Sequence, residues 1–180
     1  MPKLEIGSGT RPLDGYEHLD INPDSPCVEY VAPMNDIPVE DNYFEEIQSI
    51  HVIEHQPWKD TLSTLKEWVR VLKPGGMLRL ATPNLRWIAE CYLQGRRGNT
   101  KHFMEDANKM TEGELKRLKL NEEIDVALWA NFKIMSSGIK WDEHYACYDA
   151  RLLTDLLKKA GCSKVEIEHD GDSLILRAYK

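Results

Sequence analysis

Two sets of residues in this 180-residue chain have types and spacings that could do chemistry. The first is Gly7-Ser8-Gly9, followed thirteen residues after Gly7 by Asp20. Residues without a Cβ let the backbone turn sharply and approach a ligand closely. A carboxylate at the end of the next strand can accept both hydroxyls of a ribose. A third glycine would complete the dinucleotide fingerprint, but Pro12 stands there, which argues against a long phosphate-binding helix and against hydride transfer. The distance to Asp20 is also shorter than the ~20 residues of that fingerprint, as expected if the first helix is shortened or missing. The bland alternatives are a tight turn at the glycines and a turn cap at Asp20 before Asn22-Pro23.

The second set, His51-x-x-Glu54-His55, fits a zinc-hydrolase signature letter by letter. That chemistry requires both imidazoles on one helix face, one turn apart. Residues before His51 favour a strand and Pro57 follows closely, so zinc hydrolysis is the weakest reading and no metal site is expected.

Composition bounds the rest. At 42% hydrophobic and 29% charged, the chain can bury a core as one domain, residues 1–180, without disulfide or metal staples. A net charge of −7 argues against a nucleic-acid partner. Arg96, Arg97, Lys101, Lys116, Arg117 and Lys119 read as a solvated helix face. No apolar run approaches the ~18 residues of a membrane span and no signal peptide opens the chain, so a soluble, cytoplasmic protein is expected. Cys27, Cys91, Cys147 and Cys162 form no metal or disulfide pattern and read as buried thiols.

The elements that must position these residues follow from periodicity. Strands are expected at 3–6, 16–21, 27–31, 46–53, 77–81, 165–168 and 174–179, the last two as a hairpin through Asp170-Gly171-Asp172. Helices are expected at 58–72, with Lys73-Pro74-Gly75-Gly76 ending it, at 84–93, at 114–135, and at 151–160 between an Asp149 cap and Gly161. Trp68 and Leu72 belong to the core; His18, His102 and His169 read as surface residues. Trp129, Trp141, Tyr145 and Tyr148 could line a pocket or pack a core and lid. The result is an α/β, Rossmann-like, mostly parallel seven-stranded sheet with an antiparallel C-terminal hairpin, and residues 84–148 as a variable insertion or lid.

The order of these motifs resembles the class I S-adenosylmethionine-dependent methyltransferases, of the small type 11-like kind, over most of the chain. Leu4-Glu5-Ile6-Gly7-Ser8-Gly9 is similar to the family's first motif and His18-Leu19-Asp20-Ile21-Asn22 to its ribose-binding strand end. Residues 36–44 resemble the adenine-contacting loop and the following strand entry. His51-Val52-Ile53-Glu54-His55 resembles the segment closing the fourth strand, and residues 65–77, ending in Lys73-Pro74-Gly75-Gly76, are the most specific match. Residues 148–161 resemble the late helix. The resemblance implies that Glu5, Gly7 and Gly9 surround the methionine portion of S-adenosyl-L-methionine, with Ser8 among the cofactor-binding residues. It further implies that Asp20 holds the ribose, that Ile21 packs on the adenine, that Asp36 and Ile37 contact the adenine edge, and that His51 sits near the sulfonium.

Methyl transfer needs alignment and, for a hydroxyl or amine acceptor, a base titrating near neutrality. His51, His55 and His144 are the candidates, each weighed against the commoner structural role. The function expected is transfer of a methyl group to a small or sugar-like acceptor. A non-catalytic binding or assembly module on the same fold is the alternative, since covering N-terminal helices are missing. The cofactor pocket is then expected to be open, or closed by residues 84–148 or by the second subunit of a homodimer.

Overall fold

Short β-branched and apolar runs, separated by turn residues and helices, assemble into a single sheet. The computed structural model describes residues 2–95 and 143–180. Its strands are β1 (Lys3–Ile6), β2 (Glu17–Asp20), β3 (Tyr30–Val31), β4 (Phe44–Ile50), β5 (Leu72–Pro83), β6 (Lys164–Asp170) and β7 (Ser173–Tyr179). The helices are α1 (Thr61–Val71), α2 (Leu85–Leu93) and α3 (Ala150–Ala160). Strand order is β3-β2-β1-β4-β5-β7-β6. The first five strands run parallel, and β7 lies antiparallel to both β5 and β6. This is the expected Rossmann-like sheet, and no helix stands between β1 and β2.

Strand order reverses between β1 and β4, and the crevice beyond the carboxyl ends of strands at such a point is where ligands bind in open α/β sheets. The central strands bury one apolar face each. Leu4 and Ile6 of β1, Ile47 of β4, Leu78 and Leu80 of β5, and Leu174 and Leu176 of β7 are all fully buried. Helix α1 lays Leu65, Trp68 and Val69 against this core, and α3 packs beside it through Leu153 and Leu157. Asp149 caps α3 by accepting from the Leu152 N–H at 2.7 Å, and Gly161 closes it in the left-handed region at φ 115°.

The structure corrects several expected boundaries. β4 ends at Ile50 rather than residue 53, because His51 turns into the left-handed region (φ 54°) and Ile53–His55 form a 3₁₀ turn. Val52 and Ile53 are nonetheless buried, so their apolar character reports burial and not strand pairing. Helix α1 starts at Thr61, with Trp58 exposed on a preceding 3₁₀ turn. Lys73-Pro74-Gly75-Gly76 does not cap the helix: Leu72 is already extended (ψ 141°) and pairs with Phe44. The four residues form an outward bulge between that pair and Glu46↔Met77, with Gly75 at φ 77°. The third strand shrinks to two residues because Cys27 also turns left-handed, at φ 59°. Cys27 is exposed and His18 is buried, against expectation; none of the four cysteines forms a disulfide. The expected helix at 114–135, most of the 84–148 insertion, the basic cluster, His102, Trp129 and Trp141 lie outside the described residues. Among the described residues, no helix is long and apolar enough to cross a membrane.

Helix α1 also ties down the loop before β4. The Arg70 guanidinium donates to the carbonyls of Ile37 (3.0 Å) and Val39 (2.9 Å) and to Asp41 (2.8 Å), while Glu67 accepts the Ile37 N–H at 2.8 Å. Hydrogen bonds from Arg70 hold the Glu67 carboxyl below its ordinary value of 4.5. The ionised form is therefore preferred by the folded chain, and its stabilisation is present above that value and lost as pH falls below it. Glu67→Gln is expected to lower stability at neutral pH and flatten its decline below pH 4.5, as read by urea denaturation across pH. Trp68 is fully buried and its Nε1–H donates to the Met34 carbonyl at 2.7 Å. Trp68→Ala is expected to cost about 3–5 kcal/mol. Trp68→Phe, which leaves the Met34 carbonyl without its donor, should cost about 1–3 kcal/mol. Both are read as shifts in denaturation midpoint.

Candidate functional site

At the switch point, parallel pairing of Ile6 with Leu19 brings the ends of β1 and β2 side by side. The Gly7 N–H donates to the Leu19 carbonyl at 2.7 Å, and the chain then leaves β1. It does so through Gly7 (φ 73°) and Gly9 (φ 56°). A Cβ on Gly7 would stand 2.3 Å from Val52 Cγ2, whereas one on Gly9 would meet open space. Gly7 is thus required by both torsion and neighbour, and Gly9 by torsion alone.

Asp20 fixes the bend. Its Oδ2 accepts from the Gly9 N–H and its Oδ1 from the Asn22 N–H, each at 2.8 Å. One carboxylate therefore joins the loop after β1 to the loop after β2. A carboxylate has about four lone-pair sites, so two N–H bonds leave acceptor capacity on both oxygens.

This loop opens on a cavity of about 670 Å³, within the usual range for small-molecule sites. Gly7, Gly9, Asp20, Ile21, His51 and His55 are among its lining residues. So is Tyr145, one of the aromatic residues expected to line a pocket, together with Met34, Gln56 and Glu143, which no motif in the sequence marks out. Ile21 is 53% exposed, an apolar side chain left facing solvent at the cavity wall. The charged residues of the lining are acidic, Asp20 and Glu143.

The structure places four expected cofactor residues elsewhere. Glu5 turns its carboxylate to the Leu13 N–H (2.8 Å) and lies 3.5 Å from His18 Nε2. Burial pushes its carboxyl above the ordinary 4.5. His18 in turn faces the Leu13 carbonyl and Glu29, so this group anchors the loop that replaces the first helix. Ser8 is buried and off the cavity lining. Asp36 is exposed away from the cavity. Ile37 belongs to the core, and its N–H is already taken by Glu67.

The three histidines separate. His51, half-exposed at the cavity, has Nδ1 3.1 Å from Glu54 Oε1 and Nε2 3.3 Å from Ser173 Oγ. Glu54 is almost wholly buried, and its Oε2 also accepts from Thr82 Oγ1 at 3.2 Å. His55 lines the cavity, and its Nδ1 lies 3.0 Å from the Glu143 carbonyl. His144 lies behind it, off the cavity lining, with the two rings 5.0 Å apart. Tyr145 stays exposed at the cavity. Tyr148 is core, bonded to Thr61 Oγ1 at 2.8 Å, and burial pushes its hydroxyl up to about 12.

Comparison with known proteins agrees with the fold. A family model described as a methyltransferase domain matches residues 17–80, from β2 into β5, including Asp20 and His51–His55 but not the first glycine loop. No curated protein sequence matches. Among solved structures, a SAM-dependent methyltransferase from Thermotoga maritima superposes with a TM-score of 0.64 at 15% identity, covering 99% of this chain and 82% of the other. One from Archaeoglobus fulgidus gives 0.59 at 12% identity, covering 99% and 86%. The 1,6-didemethyltoxoflavin-N1-methyltransferase of Burkholderia thailandensis, with 1,6-didemethyltoxoflavin and S-adenosylhomocysteine bound, gives 0.56 at 11% identity, covering 99% and 70%. The topology and these superpositions identify the fold as that of S-adenosylmethionine-dependent methyltransferases, and residues 17–80 match the methyltransferase-domain model.

Proposed function

We propose that this chain transfers the methyl group of S-adenosylmethionine to a small-molecule acceptor. The observation that carries the reading is Asp20: a carboxylate at the cavity wall, already locked by two backbone N–H groups and still able to accept hydroxyls. The residues present fit such a group. Asp20 would hold the ribose hydroxyls, Ile21 and Met34 offer apolar surface to an adenine, and the bare backbone at Gly7 and Gly9 admits close approach. When bound, S-adenosylmethionine supplies an electrophilic methyl on a cationic sulfonium, which the acidic lining favours.

The chain's own contribution is alignment and proton removal. Glu54, buried and fixed by Thr82, orients the His51 ring through Nδ1. With the proton on Nδ1 facing that carboxylate, Nε2, now 3.3 Å from Ser173 Oγ, is the nitrogen that would exchange that contact for the proton of an acceptor hydroxyl or amine. Tyr145 and Glu143 also line the cavity and offer polar groups to an acceptor.

S-adenosylhomocysteine should bind with one-to-one stoichiometry in calorimetry, and Asp20→Ala should weaken it by roughly 10–100-fold, the worth of hydrogen bonds to a charged group. Absence of heat from the folded protein at high micromolar ligand would sink the methyl-transfer reading and favour a binding module on the same fold. For turnover, S-adenosylhomocysteine release can be followed over a panel of hydroxyl and amine acceptors. With any acceptor that is methylated, His51→Ala should lower kcat by about 10²–10⁴, well beyond its effect on S-adenosylhomocysteine affinity.

A further inference from the structure

The zinc-hydrolase signature in the sequence pairs His51 with His55, and the structure separates them: His51 points its ring nitrogens at Glu54 and Ser173. A different set converges instead. One ligand atom each from Glu54, His55 and His144 lies within 4.8 Å of the others. We propose that these three side chains form a binding site for a divalent transition-metal ion, zinc being the best match to the donors.

Three features support the assignment beyond proximity. Backbone pairing builds the site: the Tyr145 and Ala146 N–H groups both donate to the Glu54 carbonyl (2.8 and 3.2 Å), which clamps the segment carrying His144 beside Glu54. The second is tautomer control. His55 Nδ1 faces the Glu143 carbonyl, which can only accept, so Nδ1 carries the proton and Nε2 keeps its lone pair. Metal-binding imidazoles are held in this way, through a carbonyl or carboxylate on the other nitrogen. The third is charge. Glu54 is 1% exposed, and its ionic neighbour among the described residues is the half-exposed His51. A carboxylate so deeply buried calls for fuller compensation, and a cation supplies it.

Two imidazoles and one carboxylate make a borderline-soft nitrogen and oxygen set, suited to zinc or cobalt(II) rather than calcium or magnesium. Three protein ligands leave a position open, as catalytic sites do. His55 belongs both to this set and to the cavity lining, so the ion would lie in the cavity wall next to Glu143 and Tyr145. Nothing in the proposal requires S-adenosylmethionine to bind.

The full chain, stripped with a chelator and titrated with cobalt(II) chloride, tests this by visible absorption. Equimolar, saturable uptake with d–d bands in the visible, displaced by zinc, is expected. His144→Ala and His55→Ala should each abolish it, while His169→Ala, exposed on the terminal hairpin, should retain it. Glu54→Gln is the third variant, and far-UV circular dichroism shows which variants fold; any folded variant of the three that still binds equimolar cobalt overturns the site. Failure of the folded wild type to take up cobalt(II) or zinc also overturns it. S-adenosylhomocysteine calorimetry on the same samples reads the cofactor pocket separately, so loss of one proposal is distinguishable from loss of the other.

Discussion

One carboxylate joins two strand ends, and the cavity exists because it does. Asp20 accepts the N–H groups of Gly9 and Asn22, so the turn after β1 and the turn after β2 share an anchor. The Gly9 N–H lies in a left-handed turn with no ladder to join, and the carboxylate gives this partly buried donor its partner. In many nucleotide folds a helix N-terminus gives this support. Here the helix is absent, and a buried group of Glu5, Leu13 and His18 holds the replacing loop down on its other side.

Much of the fold was legible because local chemistry and burial agree. Asp149 and Gly161 bound α3 by capping geometry that needs no partner from elsewhere in the chain. The C-terminal hairpin follows from alternation across a short polar turn. Agreement ends where burial arises from something other than the expected element. Val52 and Ile53 continue the apolar run of β4, yet they fill space under a 3₁₀ turn, so their hydrophobicity overextends the strand. Lys73-Pro74-Gly75-Gly76 carries every mark of a helix stop, but the helix has already ended at Val71 and the glycines serve a bulge in β5.

The site was legible where a residue acts through its own backbone or strand end, as Gly7, Gly9 and Asp20 do. It was illegible where side-chain direction decides. Glu5 neighbours the glycine turn in sequence, but alternation along β1 aims it at His18 rather than the cavity. Ile37 lies in a segment that resembles an adenine-contacting loop, yet helix α1 claims its N–H through Glu67, a residue thirty positions away. His144 approaches His55 only because two backbone bonds to Glu54 fold its segment over the sheet, and no local spacing announces that meeting.

The contact between Gly7 and Val52 has its own consequence for how this scaffold can change. The loop after β1 and the segment after β4 interlock so closely that an extra methyl on one must displace a methyl of the other. Swapping the segment after β4 to recruit a different substrate would therefore import a new shape at position 52 and disturb the opposite loop as well. Diversification at this end of the sheet must treat the two positions as a single hereditary unit.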